Sequence, residues 1–167
     1  MQTKFGEIQF ELYNDKAPQT VAGFLKNVEA GIYKDSYFYR VLNQDNQSSN
    51  AMKNFLLQGG IWRSNSKLSQ TLPRIPHETT QQSGILHTDG VISMARLEPG
   101  SAGSEFFICI GSQPGLDFGG KNNSDGQGYA AFGKVIEGME VVRKIYRQPE
   151  DDQSFEPPVK IYNIVRK

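Results

Sequence analysis

Apolar and polar residues alternate along several short stretches of the chain. In residues 5–13, Ile8, Phe10 and Leu12 alternate with Glu7, Gln9 and Glu11, the period of a half-buried strand. Residues 37–41, 55–60, 91–95, 105–110, 130–135 and 159–165 read as further strands. Val21, Phe24, Leu25 and Val28 instead recur at helical spacing, in a helix entered at Pro18, with Thr20 available as a local cap, and ended by Gly31. After Gly138 a second helix carries Met139, Val142 and Tyr146 on one stripe, broadened by Val141 and Ile145 and stopped by Pro149. Residues 43–50 are polar without a period and read as an exposed loop. Residues 61–83, with Pro73 and Pro76, predict loops with room for a short strand. Many strands separated by turn signals, with two amphipathic helices and no internal repeat, predict a closed antiparallel barrel.

The length of 167 residues suits one domain over 1–167, with a substantial core. Eighteen Lys and Arg balance eighteen Asp and Glu. The lack of a basic excess argues against nucleic acid as a partner, and the lack of a long hydrophobic span argues against membrane insertion. The single Cys109 excludes an internal disulfide, and no Cys/His set for zinc is present, so no cofactor is expected. A strand pattern begins almost at Met1, leaving no signal peptide. That fits a cytosolic protein, or an exported one whose signal has been removed.

Three runs carry the candidate chemistry: residues 38–41, 55–60 and 105–108. In strands, alternate side chains share a face. This pairs Arg40 with Phe38, Leu56 with Gln58, and Glu105 with Phe107. Side by side, such strands make an apolar shelf edged by a guanidinium, an amide and a carboxylate, which suits binding better than core packing.

The segments Phe38-Tyr39-Arg40-Val41, Phe55-Leu56-Leu57-Gln58-Gly59-Gly60, Gly90-Val91-Ile92-Ser93-Met94-Ala95-Arg96, Gly103-Ser104-Glu105-Phe106-Phe107-Ile108 and Ala131-Phe132-Gly133-Lys134-Val135-Ile136-Glu137-Gly138-Met139 resemble, in order, those of the cyclophilins. The resemblance extends over nearly the whole chain. It implies a mainly β fold, an eight-stranded closed antiparallel barrel capped by two α-helices. It also implies peptidyl-prolyl cis-trans isomerase activity without cofactor, on proline-containing peptides and unfolded proteins; nothing in the sequence demands more than a monomer. By the same resemblance Arg40, Gln58 and Phe55 are the catalytic candidates, and Leu56, Ala95, Arg96, Glu105, Phe107, Leu116 and Tyr129 the substrate-binding ones. Phe55, Leu56, Phe107 and Leu116 are expected to form the pocket for the proline ring.

Several positions depart from the family pattern. Leu56 replaces the more usual Met, a volume-conserving change. Glu105 stands where many relatives have Gln, within possible reach of Arg40, so that an ion pair would either orient the guanidinium or compete with substrate for it. Arg96 replaces the common Asn and adds a second positive group beside the groove, read as a solvated rim charge, with a preference for acidic peptides as the alternative. The family's animal members carry near Gly115 a tryptophan important for cyclosporin, and a histidine where Tyr129 stands, so weak cyclosporin binding is expected. The 43–54 insertion is longer than the family's usual connection and starts and ends beside the expected site. A non-enzymatic proline-peptide or partner-binding module on the same fold is the alternative, and the retained Arg40 favours the enzyme. Cys109, in an apolar strand, reads as a buried inert thiol and not as a nucleophile paired with His77 or His87.

Overall fold

In the computed structural model, which describes residues 1–50 and 52–167, the two periods of the sequence resolve into strands and helices around an aromatic centre. The elements in order are β1 (Gln2–Thr3), β2 (Gly6–Glu7), β3 (Gln9–Leu12), α1 (Pro18–Glu29), β4 (Ser36–Leu42), β5 (Leu56–Gly60), α2 (Ser66–Thr71), α3 (Thr80–Ser83), β6 (Val91–Met94), β7 (Phe106–Cys109), a 3-10 turn (Pro114–Leu116), β8 (Ala130–Glu137), α4 (Met139–Tyr146), β9 (Glu150–Asp151) and β10 (Ser154–Asn163). Of the polar insertion, residue 51 lies outside the described residues.

The strands form one antiparallel sheet in the order β2-β1-β10-β4-β5-β7-β6-β8-β3, with β9 hairpinned onto β10. Its two ends meet at Ile8, which lies between β2 and β3. There the Met1 amino group donates to the Ile8 carbonyl at 2.8 Å, and the Ile8 amide donates to the Met1 carbonyl at 2.9 Å. The sheet is therefore a nearly closed barrel, and the single strand predicted over 5–13 is broken at Ile8 by this exchange. Counting β2 and β3 as one interrupted strand gives nine, one more than the eight expected, the extra one being the two-residue β9 hairpinned onto β10.

Phe24 of α1 is fully buried, with ring centroids of Phe132, Tyr33, Phe106 and Phe10 at 5.0, 5.3, 6.0 and 6.1 Å. Val142 and Ile145 of α4 join the same core. Complete burial of such side chains stabilises by about 1.5–3 kcal/mol each, which is why the two stripes fix the helices.

The N-terminus of α1 is not capped locally. Glu78, 58 positions on, accepts from the Thr20 amide at 2.7 Å, the Thr20 hydroxyl at 2.6 Å and the Gln19 amide at 3.2 Å. Thr20 is thus a donor to a distant carboxylate, not a cap. Residues 61–83, expected as loops, contain two short helices. Asn65 caps α2, and Thr79 with Gln82 forms a capping box on α3, closed by Gly84 in the left-handed conformation.

Candidate active site

On the outer face of the barrel, Leu42, Leu56, Phe107, Cys109 and Leu116 form a second apolar cluster, with Ala95 and Tyr129 packed against it. A cavity of about 500 Å³ opens over it, lined among others by Arg40, Leu42, Met52, Leu56, Gln58, Ala95, Arg96, Phe107, Leu116 and Tyr129. A second cavity of about 500 Å³ shares Gln58, Ala95, Arg96 and Leu97 with the first and reaches Tyr39, Trp62 and Glu105. The exposed apolar side chains Met52, Trp62 and Leu97 all stand on these walls, where an occupant would cover them.

Strand pairing explains how the polar groups converge. Phe38 pairs with Gly59, but Arg40 pairs with Gln58, so Tyr39 is an extra residue on β4. This β-bulge turns Tyr39 and Arg40 to the outside together, while Phe38 and Val41 stay in the core. The expectation that Arg40 shares a face with Phe38 is therefore wrong, since a strict two-residue period misses a bulge. Gln58 and Phe107 are direct partners across β5 and β7, and Ser93 stands opposite Phe107 on β6. Tyr129 meets the Phe107 ring edge-on at 5.3 Å, and buried His87 stacks behind Phe107 at 5.9 Å.

The Arg40 guanidinium is held on two sides. Its Nη1 donates to Gln58 Oε1 at 3.3 Å, while Nε and Nη2 both donate to Gln153 Oε1, at 3.1 and 2.7 Å. Three of its five N–H groups are thus engaged among the described residues, leaving one on each terminal nitrogen for a ligand.

Glu105 does not pair with Arg40. Its Oε1 accepts from the amides of Ile61 and Trp62 and from the hydroxyls of Ser69 and Ser104, at 2.8–3.1 Å, and its Oε2 accepts from Tyr39 Oη at 2.8 Å. Gln58 Nε2 in turn donates to Tyr39 Oη at 2.8 Å. A directed chain results, Arg40 to Gln58 to Tyr39 to Glu105. Burial, with the adjacent carboxylate, pushes the Tyr39 hydroxyl pKa far up and keeps its proton on the donor. Gly60 has φ +144°, and a Cβ there would collide with the Glu105 carboxylate, so glycine is required on both counts.

Arg96 is not a solvated rim charge, since its side chain is 1% exposed. It clamps Asp125 bidentately at 2.8 and 2.9 Å, donates to the Gly128 carbonyl at 2.8 Å and lies 5.2 Å from the Tyr129 ring centroid. Its charge is spent tying the glycine-rich 118–128 loop to the groove. Hydrogen bonds from Arg96, then from the Gln127 amide, hold the Asp125 carboxyl below its usual range. The clamp is therefore intact above the unfolded-state value of about 3.9 and is lost as pH falls through the lower folded one. An NMR titration of the Asp125 carboxyl carbon is expected to show a midpoint below that of free aspartate.

Phe55, expected in the proline pocket, does not line it. It lies just before β5, half-buried, and its backbone is used instead, the amide donating to Gln113 Oε1 and the carbonyl accepting from Ile110. Cys109 is fully buried, and burial raises its thiol pKa well above the ordinary value. His87 is occupied by Asp117 at 2.7 Å and Ser93 at 3.0 Å. No thiol nucleophile is formed.

Sequence reasoning missed Met52 and Gln153. The Met52 sulfur lies against Gly115, beside Leu116, so that a Cβ at 115 would have to displace it. Met52 is the one large apolar residue in the 43–54 insertion, a signal that singles it out.

Comparison with known proteins agrees with this geometry. The family model for cyclophilin-type peptidyl-prolyl cis-trans isomerases matches residues 1–166. A peptidyl-prolyl cis-trans isomerase of Acinetobacter baylyi is 36% identical over 98% of this chain and 82% of its own length. Peptidyl-prolyl cis-trans isomerase B of Escherichia coli is 35% identical over 86% of this chain and 80% of its own. A Cryptosporidium parvum cyclophilin-type isomerase, solved in the presence of the dipeptide Ala-Pro, superposes with a TM-score of 0.78 at 26% identity, covering 99% of this chain and 95% of that one. Fold, full-length family match and bacterial relatives together make this chain a member of the cyclophilin-type peptidyl-prolyl cis-trans isomerases.

Proposed function

We propose that this isomerase acts, as a single domain, on Xaa-Pro bonds of flexible or unfolded chains, with Arg40 as the key donor and the Leu56–Phe107–Leu116 cavity as the seat of the proline ring. Rotation about the peptide bond is opposed by ~18–20 kcal/mol, because the proline nitrogen donates its lone pair into the carbonyl. In the twisted state that nitrogen becomes pyramidal and can accept a hydrogen bond. A guanidinium always charged, held from two sides and with N–H groups still open beside an apolar cavity, is the observation that carries this reading. Because the donor contacts the nitrogen's lone pair only once resonance is lost, its interaction falls on the transition state.

The remaining groups position the substrate. Leu56, Phe107 and Leu116, each no more than 5% exposed, offer an apolar floor, and Tyr129 and Ala95 its sides. Ser93 stands behind Phe107, and Gln58 is shared between Arg40 and Tyr39. The Ala-Pro dipeptide present with the Cryptosporidium relative supports proline peptides as ligands of this groove.

Met52 extends the wall over Gly115, so the insertion is part of the rim and not a remote loop. Met52→Ala is expected to raise KM for a proline tetrapeptide about threefold with kcat unchanged, as loss of roughly one buried methylene-sized contact implies. An unchanged KM removes the insertion from the site. With no tryptophan near Gly115, where animal relatives carry one, cyclosporin binding is expected to be weak, and saturation in a submicromolar titration contradicts that.

A further inference from the structure

We propose that Gln153 is a positioning residue that orients the Arg40 guanidinium and ties it to the 43–54 insertion, so that the loop and the donor move as one unit. This rests on Arg40 being the donor.

Gln153 sits in the two-residue turn between β9 and β10, where Asp151 pairs with Ser154. Asp152 and Gln153 have φ of 44° and 72°, the left-handed pair that such a hairpin takes. Asparagine and glycine suit these positions, whereas glutamine gains nothing there from its backbone. A strained conformation kept for a long amide side chain points to use of that side chain.

Both ends of the amide are committed. Oε1 accepts from Arg40 Nε and Nη2, and Nε2 donates to the Asn46 carbonyl at 2.9 Å. Reversing the amide sets NH2 against guanidinium N–H on one side and oxygen against oxygen on the other, so only one orientation is compatible with its neighbours. The backbone is engaged independently, its amide donating to Glu150 Oε2 and its carbonyl accepting from Val41, both at 2.8 Å. The side chain can therefore be removed without cutting the turn's anchors.

From Asn46 the link continues into the rim. Asn43 donates to Glu150 at 3.3 Å, Gln47 bridges to the Asn54 carbonyl at 2.8 Å, and Asn54 donates to Asn122 at 2.6 Å, across the cavity wall that includes Met52. The same guanidinium that meets Gln58 on one side is thus braced, on the other, by the loop that bounds the substrate cavity. An occupant that shifts the loop changes the orientation of the donor.

Gln153→Gly tests this, because glycine accepts the turn's backbone and removes only the side chain. Prolyl exchange kinetics, thermal midpoint and the ¹⁵Nε relaxation of Arg40 are measured, with Arg40→Ala alongside. The expected result is a kcat lower by roughly tenfold, the scale of one charge-assisted hydrogen bond. KM stays within about twofold, the midpoint is at or above that of wild type, and the Arg40 Nε–H order parameter falls to about 0.6 or below. Backbone amide signals of residues 44–47 shift in the same variant. Wild-type kcat in Gln153→Gly, lost activity with an unchanged Arg40 order parameter, or a clearly lowered midpoint each overturns the proposal. If Arg40→Ala itself keeps wild-type kcat, the donor assignment fails, and this inference fails with it.

Discussion

Replacing Arg40 with alanine is expected to lower kcat/KM for Xaa-Pro isomerisation by roughly 10²–10³, the usual loss on removing one preorganised donor from a transition state. Peptide affinity should change little, because Leu56, Phe107 and Leu116 form the floor of the cavity without Arg40. Arg40→Lys should recover only part of the loss. An ammonium keeps the charge, but it cannot fill the fork that Gln58 and Gln153 hold from two directions. No side chain need change protonation, so the rate should stay flat across neutral pH. A steep pH dependence between about 6 and 8 would point to a histidine, although His87 is buried behind Phe107 with both ring nitrogens occupied.

Glu105→Ala is expected to destabilise the fold strongly. Ile61 and Trp62 would lose the acceptor for their amides, and Ser69, Ser104 and Tyr39 the acceptor for their hydroxyls. The hydroxyls can rotate to other partners and the exposed Trp62 amide can turn to water, but the Ile61 amide is fixed and buried, and stranding it costs about 1–3 kcal/mol. At the upper end, a loss of about 3 kcal/mol corresponds to a Tm lower by roughly 6–12 °C for a chain of this size. Glu105→Gln is a subtler probe. A carboxylate only accepts, so Tyr39 must donate to it and Gln58 Nε2 must donate to Tyr39, which leaves Gln58 Oε1 facing Arg40. A glutamine at 105 can place NH2 there and release that direction. The expected result is a kcat/KM a few-fold lower with most of the stability kept. A higher turnover in Glu105→Gln contradicts the chain, and an unchanged Tm in Glu105→Ala contradicts the anchoring role.

The barrel, and Leu56 and Phe107 in the apolar part of the site, were legible in the sequence because they follow simple periods, whereas Leu116, Ala95 and Tyr129 were marked only by the family resemblance. Leu56 with Gln58, and Glu105 with Phe107, lie on the faces that alternation assigns. Alternation failed where the backbone departs from a plain strand. The Tyr39 bulge moved Arg40 off the face of Phe38, and the exchange between Met1 and Ile8 cut the first strand in two. Charged residues were harder to read, because their partners are distant in sequence. Arg96 finds Asp125, 29 positions away, and Arg40 finds Gln153, 113 away. No local pattern marks either pair. The short helices of 61–83 did carry a signal, since Thr79 and Gln82 are spaced as a capping box and Gly84 follows.

The most direct test of the central claim is cis–trans exchange in a short Ala-Pro peptide, followed by NMR exchange spectroscopy with catalytic amounts of wild type and of Arg40→Ala. Arg40 as the donor predicts rapid exchange with wild type. With the variant, the same groove amides shift on peptide addition, but exchange falls back towards the uncatalysed 10–100 s range, or about that. Equal acceleration by both proteins would contradict it and move the catalytic donor elsewhere in the groove.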